Sequence, residues 1–276
     1  MTTVAPSSIP SAEQLASAGL RLEIADQVAT ITLDRPTSRN SQTPTMWRAL
    51  AALGASLPDD VRVVVLRGAG PCFSAGLDRN LLLPGEKAAS EESVAELLAM
   101  PQAEMTARIH DYQQGFTWLS DPRFVTIAQV HGYAIGAGFQ LALSCDVIVA
   151  ADTAQFCMKE AALGLVPDLA GTKPLVERVG YARALEICAT ARMVGAEEAV
   201  RLGFALEQVP EAELDAAVAR HVAAFTAPRV GAVRETKALL QGALTRTLDE
   251  QCEVERTAQF RRFTEMAPEL GVQPAG

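Results

Sequence analysis

Two glycine-rich turns carry the strongest chemical signal in this 276-residue chain. The run Val64-Val65-Leu66 leads into Phe73-Ser74-Ala75-Gly76-Leu77-Asp78, and Ile127-Ala128-Gln129-Val130 leads into Gly132-Tyr133-Ala134-Ile135-Gly136-Ala137-Gly138. Each reads as a strand, then small residues, then a helix start. Small residues let a ligand approach the backbone closely. A helix start presents unpaired N–H donors at the positive end of its dipole. Two such turns facing one another would aim two N–H groups at a single oxygen. That is an oxyanion hole, and losing one donor of such a pair costs ~2.7–4 kcal/mol of transition-state stabilisation.

Other chemistries fit less well. Gly132, Gly136 and Gly138 spell G-x-x-x-G-x-G, which resembles the dinucleotide turn of short-chain dehydrogenases. That family places the turn after its first strand and needs a Tyr-x-x-x-Lys downstream. Here the glycines sit mid-chain, and Tyr112, Tyr133 and Tyr181 are followed four places on by Phe116, Ala137 and Leu185. There is no G-x-S-x-G, so Ser74 is not read as a hydrolase nucleophile. His110, His131 and His221 have no metal-ligating partner at i+3 or i+4, and no metal is implied. Cys72, Cys145, Cys157, Cys188 and Cys252 are odd in number with no C-x-x-C, which argues for reduced thiols in the cytoplasm over disulfides or structural zinc.

The elements that would position the turns follow from periodicity. Residues 20–34 alternate apolar and polar across a break at Ala25-Asp26-Gln27, which predicts two strands and a tight turn. A helix is predicted over 46–57 and buried strands over 61–66, 124–130 and 147–150. From Arg79 to Gln114 the pattern loosens into a partly ordered excursion, then a helix to about Leu119. After Pro174 the chain reads as helical to the end, over 175–189, 196–202, 211–225, 230–240 and 248–265. Residues 1–18, rich in Ser, Ala, Thr and Pro, read as a loose tail or short helix. Strand–turn–helix units followed by helices make an α/β protein.

Composition narrows the partners. Lys plus Arg is 24 and Asp plus Glu is 33, a net charge of −9, which argues against nucleic acid or an anionic membrane surface. No apolar run reaches the ~18 residues of a membrane span, and the N-terminus lacks a signal-peptide pattern.

The stretches FSAGLD (73–78), HGYAIGAGFQLALSCDVIVAAD (131–152) and AQFCMKEAALGLVPDLAGT (154–172) together resemble the enoyl-CoA hydratase/isomerase (crotonase) family, in family order from about Leu20 to Gly271. The resemblance implies a spiral of ββα units with a C-terminal helical oligomerisation region. It divides the chain into an N-terminal tail (1–19), a core holding the CoA-thioester site (20–207) and a helical region (208–276). It implies an acyl-CoA substrate, no cofactor beyond that coenzyme A, and a homotrimer or dimer of trimers. By motif position the N–H groups of Leu77 and Ala137 match the oxyanion pair, and Ala75 a CoA contact. Arg35, in an R-P-x-x-x-N stretch ending at Asn40, reads as either a phosphate contact or a surface cation. Asp78 reads as a helix cap. His110 could face the acyl pocket. The C-terminus is short for the family, and Lys237 and Arg261-Arg262 either compensate in holding the CoA adenine or are solvated helix charges.

The carboxylates separate the possible reactions. Hydratases of the family use two glutamates; Glu160 matches one, and Gln140 stands where the other would be, beside the substrate. An amide cannot exchange a proton as a carboxylate can. Eight residues after Glu160, where hydratases have glycine, stands Asp168. Glu-x₇-Asp resembles the dienoyl-CoA isomerase branch, where the two carboxylates are the proton-transfer pair. The expectation is an isomerase-like enzyme using Glu160 and Asp168. The alternatives are an enoyl-CoA hydratase in which Glu160 works with a water held by Gln140, and a non-catalytic acyl-CoA binder.

Overall fold

The computed structural model describes residues 8–82 and 92–272. Among the described residues there are nine strands: β1 (Leu20–Ala25), β2 (Val28–Leu33), β3 (Val63–Gly68), β4 (Val125–Val130), β5 (Tyr133–Ile135), β6 (Val147–Ala151), β7 (Gln155–Cys157), β8 (Val194–Gly195) and β9 (Glu207–Val209). Six of them form one sheet in the order β1-β2-β3-β4-β6-β9, and β5-β7-β8 form a small second sheet. The β1–β2 hairpin is antiparallel; every later pair in the large sheet is parallel. Asp26 and Gln27 take φ of 48° and 67° at the hairpin tip, the left-handed pair that a tight two-residue turn requires.

The parallel strands are covered on both faces, as crossover connections demand. Val64, Leu66, Ala128 and Val130 face a core built with helices Pro44–Ser56, Gln102–Thr117 and Ala137–Ser144. Val63, Val65, Ile127 and Val149 face the opposite way onto Leu214, Ala217 and Val218 of helix Leu214–Thr226. The period-two alternation of these β-branched runs therefore feeds two cores from one sheet. Both glycine turns leave the carboxyl ends of β3 and β4, the end of a parallel sheet where ligands bind.

Several expected elements differ in the structure. The helix predicted over 46–57 runs from Pro44 to Ser56, because the Thr43 side chain caps it and Pro44 fits its first turn. The helix predicted over 175–189 is two, Thr172–Val179 and Tyr181–Thr190, broken at Gly180 with φ 76°. The chain after Pro174 is not wholly helical: β8 and β9 interrupt it, and β9 becomes the edge strand of the main sheet. The excursion is tighter than expected, since helix Gln102–Thr117 begins right after Pro101, while residues 83–91 lie outside the described residues. In the tail, Ala12–Ser17 is a short helix with a capping box at Ser11.

Lys237 is neither solvated nor near a ligand site. It is 9% exposed, and its ammonium sits 2.8 Å from Asp146 Oδ2 and from the Phe124 carbonyl and 3.0 Å from the Asp121 carbonyl. A buried cation needs such partners, and this one fastens helix Val230–Ala243 to the start of β4. Arg261 pairs with Glu235 at 2.7 Å, and Arg262 with Glu265. Among the described residues, no helix is long and apolar enough to cross a membrane.

Candidate active site

The two glycine turns lie against each other. The chain at 73–74 pairs in parallel with β5: Ser74 N–H donates to the Tyr133 carbonyl at 2.8 Å and Ile135 N–H to the Ser74 carbonyl at 3.0 Å. A Cβ at Gly76 would fall 2.4 Å from the Ile135 carbonyl oxygen and 3.4 Å from the Ala137 nitrogen. Only glycine permits this approach, and its φ of 85° is left-handed as well. Gly138 closes on Ser74 in the same way, with a virtual Cβ 2.6 Å from the Ser74 carbonyl.

The two turns contribute Leu77 and Ala137, respectively, to the cavity wall. Leu77 is bracketed by Gln42: Gln42 N–H donates to the Gly76 carbonyl at 2.7 Å, and Asp78 N–H donates to the Gln42 carbonyl at 2.9 Å. In a parallel bridge the bracketed residue turns its own N–H the opposite way, away from Gln42. Ala137 is the first residue of helix Ala137–Ser144, so its N–H has no partner within the helix. Both residues line one cavity of about 570 Å³, together with Ala75, Gln140, Glu160 and Asp168.

Glu160 opens a 3-10 turn, Glu160–Leu163, immediately after the β7 region, and is 8% exposed. Its two oxygens are treated differently. Oε1 accepts from Gln140 Nε2 at 2.6 Å, whereas Oε2 is buried without a hydrogen-bond partner among the described residues. Burial pushes the Glu160 carboxyl above its ordinary range; its own backbone N–H and Gln140 oppose the rise, and the charge of Asp168 adds to it. Gly136, at φ 53°, lies over this carboxylate, with a virtual Cβ 3.3 Å from Oε1. Asp168 is reached by solvent at the cavity wall, yet protein atoms crowd it enough that desolvation raises its carboxyl too, against its own backbone N–H. Gln113 Nε2 holds the Asp168 carbonyl at 2.7 Å.

Gln140 is fully buried and is a strut. Its carbonyl oxygen accepts from the Leu169 and Gly171 amides at 2.9 and 3.3 Å while its amide nitrogen donates to Glu160. One side chain thus ties the loop carrying Asp168 to Glu160. Arg35 does not line the cavity. Its guanidinium is committed to Asp78 Oδ2 at 2.9 Å and the Ser41 carbonyl at 2.6 Å. Arg35 remains half-exposed, and a carboxylate next to Leu77 pairs with it. Asp78 does cap the 3-10 turn Arg79–Leu81, through Asn80 N–H at 3.2 Å. His110 is not among the residues lining the cavity and contacts Gln114.

Some wall residues carry no signal in the sequence read alone. Arg39, Arg79 and Lys159 are exposed cations lining the cavity. Trp47 and Tyr112 form a wall with ring centroids 5.2 Å apart, and Tyr112 donates its hydroxyl proton to Glu92. The rest of the wall is apolar, with Leu97, Met105, Ile109, Val166 and Leu169 among its residues. Arg39 could have been marked, since it stands within the quoted R-P-x-x-x-N stretch; Trp47 and Tyr112 could not, because core aromatics look the same.

An apolar cavity lined by Leu77 and Ala137 and holding a buried, half-satisfied carboxylate has groups of the kinds that stabilise an enolate and move a proton. Comparison with known proteins agrees. The crystal structure of a protein from Thermobifida fusca YX, provisionally named an enoyl-CoA hydratase and solved with CoA, is 50% identical, covers 95% of this chain and 99% of its own, and superposes with a TM-score of 0.90. The same protein solved with acetoacetyl-CoA gives 52% identity, 94% and 100% coverage and a TM-score of 0.90. The carnitinyl-CoA dehydratase of Escherichia coli is 36% identical over 201 residues, 72% of this chain and 70% of that protein. Residues 23–273 match the enoyl-CoA hydratase/isomerase family as a whole, and to that family, with its crotonase fold, this chain belongs.

Proposed function

We propose that this protein binds an acyl-CoA thioester and shifts a double bond along its acyl chain by carboxylate-mediated proton transfer. The observation that carries the reading is Glu160: one oxygen is held by Gln140 and the other is buried, unpartnered and beside the cavity. The N–H groups of Leu77 and Ala137 take the thioester oxygen. Glu160 Oε2 removes a proton from the α or γ carbon. The C–H electron pair moves into the conjugated enolate, and the oxygen charge rests on the two amides. A proton from Glu160, or from Asp168 across the cavity, then adds at the other end of the enolate. The double bond has moved, and no atom has been gained. The raised carboxyls of both groups suit this shuttle, since a general acid/base works best near the ambient pH. The CoA phosphates lie towards Arg39, Arg79 and Lys159, and Ala75 contacts the coenzyme through its backbone. We assign the site to residues 20–207. Leu240, Leu244, Leu248, Phe260 and Phe263, exposed on helices Val230–Ala243 and Leu248–Met266 and the turn between them, are the surface for trimer assembly in the cytoplasm.

A second reading is hydration of a 2-enoyl-CoA. The names of the relatives favour it, and Glu160 Oε2 could hold the attacking water. Against it stands Gln140, whose amide occupies the Glu160 oxygen directly and supplies no second acid. Both readings need Glu160. Glu160→Gln is expected to lower kcat by ~10²–10⁴ with acyl-CoA affinity retained. Turnover near that of the wild type would remove Glu160 from the chemistry.

A further inference from the structure

A second set of buried polar groups lies behind the Leu77 turn, and none of it is used by the proton transfer. Trp47 Nε1–H donates to Gln42 Oε1 at 2.8 Å. Gln42 Nε2–H donates to Ser74 Oγ at 3.1 Å. Ser74 Oγ–H donates to the Asn40 carbonyl at 2.7 Å, and Gly76 N–H donates to Ser74 Oγ at 3.2 Å. Asn40, Gln42 and Ser74 have no exposed surface, in a region where burying polar groups is costly unless each is paired. At one end of the chain is Trp47, whose ring lines the acyl cavity. At the other end are Gly76 and Leu77.

The main chain reinforces the same link. Gln42 grips both flanks of Leu77, as described above, and Ala75 N–H donates to the Arg39 carbonyl at 2.9 Å. The backbone at Trp47 packs closely on helix Gln102–Thr117, since a Cβ at Gly115 would stand 2.4 Å from the Trp47 carbonyl oxygen. A glutamine suits the central position because it accepts from the indole and donates to the hydroxyl at once. A carboxylate would supply no donor to Ser74, and an apolar residue would leave the Trp47 N–H unpaired and take one donor from Ser74.

We propose that Gln42 is a positioning residue that couples the acyl-pocket wall at Trp47 to the orientation of the Leu77 amide. An acyl group that packs on Trp47 thereby presses on the same hydrogen-bonded chain that aims the oxyanion donor. Acyl shape is then read partly in kcat and not only in binding. The inference rests on the reading of Leu77 as an oxyanion donor given under Proposed function.

The test uses Trp47→Phe, which keeps an aromatic ring but removes the N–H together with part of the indole, with Gln42→Met and Ser74→Ala beside it to delete the hydrogen bonds without changing that wall. The probe is hexanoyl-CoA labelled with ¹³C at the thioester carbonyl, whose stretching frequency in the bound state is read by difference infrared spectroscopy. The wild type should show the band displaced to lower frequency than in water. In the variants it should move back towards the water position, with kcat lowered about tenfold to hundredfold, as for a small misplacement of a reacting group, and KM changed much less. Thermal melts show which variants are folded, and Trp47→Phe alone suffices if the others are not. A wild-type band that is not displaced removes the oxyanion reading and this proposal together. A displaced band that stays displaced in a folded Trp47→Phe, with kcat unchanged, removes this proposal alone.

Discussion

The two turns that carry Leu77 and Ala137 are held by different means. Ala137 is fixed by regular backbone structure: it opens a helix, follows β5, and Gly136 N–H is anchored on the Cys157 carbonyl at 2.8 Å. Leu77 lies in an irregular segment between the 40–42 strip and β5, where main-chain bonds to Gln42 and Arg39 are backed by buried side chains and the Arg35–Asp78 ion pair. Charge is also handled oppositely. Burial pushes the Asp78 carboxyl up, but Arg35, the Asn80 amide and Ser41 outweigh it, so Asp78 titrates below the ordinary carboxylate range. Glu160, under the other turn, titrates above it. One turn is stabilised by its charges, and the other carries an incompletely satisfied charge where proton transfer is placed. Backbone-held geometry tolerates most side-chain changes nearby; side-chain-held geometry can be lost through one hydrogen bond.

The glycines give the sharpest way to break this arrangement. Gly76→Ala would drive a methyl group into the Ile135 carbonyl, which is backbone and cannot yield. The turns should separate, with kcat falling about 10²-fold and the melting temperature dropping. Gly136→Ala meets only the Glu160 carboxylate at 3.3 Å, a side chain that can give. Its main cost is the left-handed backbone, ~1–2 kcal/mol, and its loss of kcat should be the smaller of the two. Steady-state kinetics with thermal melts would rank them, and the reverse ranking would contradict the account.

Asp168→Asn tests the second carboxylate. Isomerisation should fall by about 10²-fold or more with acyl-CoA binding intact, measured by turnover and calorimetry. An indifferent variant would make Asp168 a loop residue held by Gln113.

The two carboxyls should also separate in stability against pH. Arg35→Met should cost ~1.5–3 kcal/mol at neutral pH through lost charged hydrogen bonds. That deficit should shrink in acid, because a lowered carboxyl contributes stability above its unfolded pKa and loses it as the pH falls through the folded one. Glu160 has the opposite sign: a raised carboxyl costs stability progressively as the pH rises through the unfolded value to the folded one. Glu160→Gln should therefore gain ~1–2 kcal/mol at neutral pH and nothing in acid. Denaturant titrations at several pH values would check both. In the wild type, kcat/KM should decline on the acid side at a pH above the usual carboxylate range.

Much of this was legible in the residues themselves. The β1–β2 hairpin, the buried runs of β3, β4 and β6 and both glycine turns have patterns long enough to read. Strands β5, β7, β8 and β9 span three residues or fewer, too short to show a period, and they exist because neighbouring chains offer pairing. At the site, motif position marked Glu160 and Asp168, but the contact of Gln140 with Glu160 joins residues twenty apart and appears only in the fold. The partners of Arg35 and Lys237 are not legible in the sequence for one reason. A cation in a sequence looks solvated, and only tertiary structure brings Asp78 or Asp146 to its side.

The most direct test of the central claim is the mass of the product formed from a 3-enoyl-CoA by the wild-type enzyme in deuterated water. The account expects a 2-enoyl-CoA that carries deuterium on its carbon skeleton and no added oxygen, formed at a rate that Glu160→Gln abolishes. An inert 3-enoyl-CoA, together with rapid conversion of a 2-enoyl-CoA to a product heavier by one water, would contradict it and establish hydration instead.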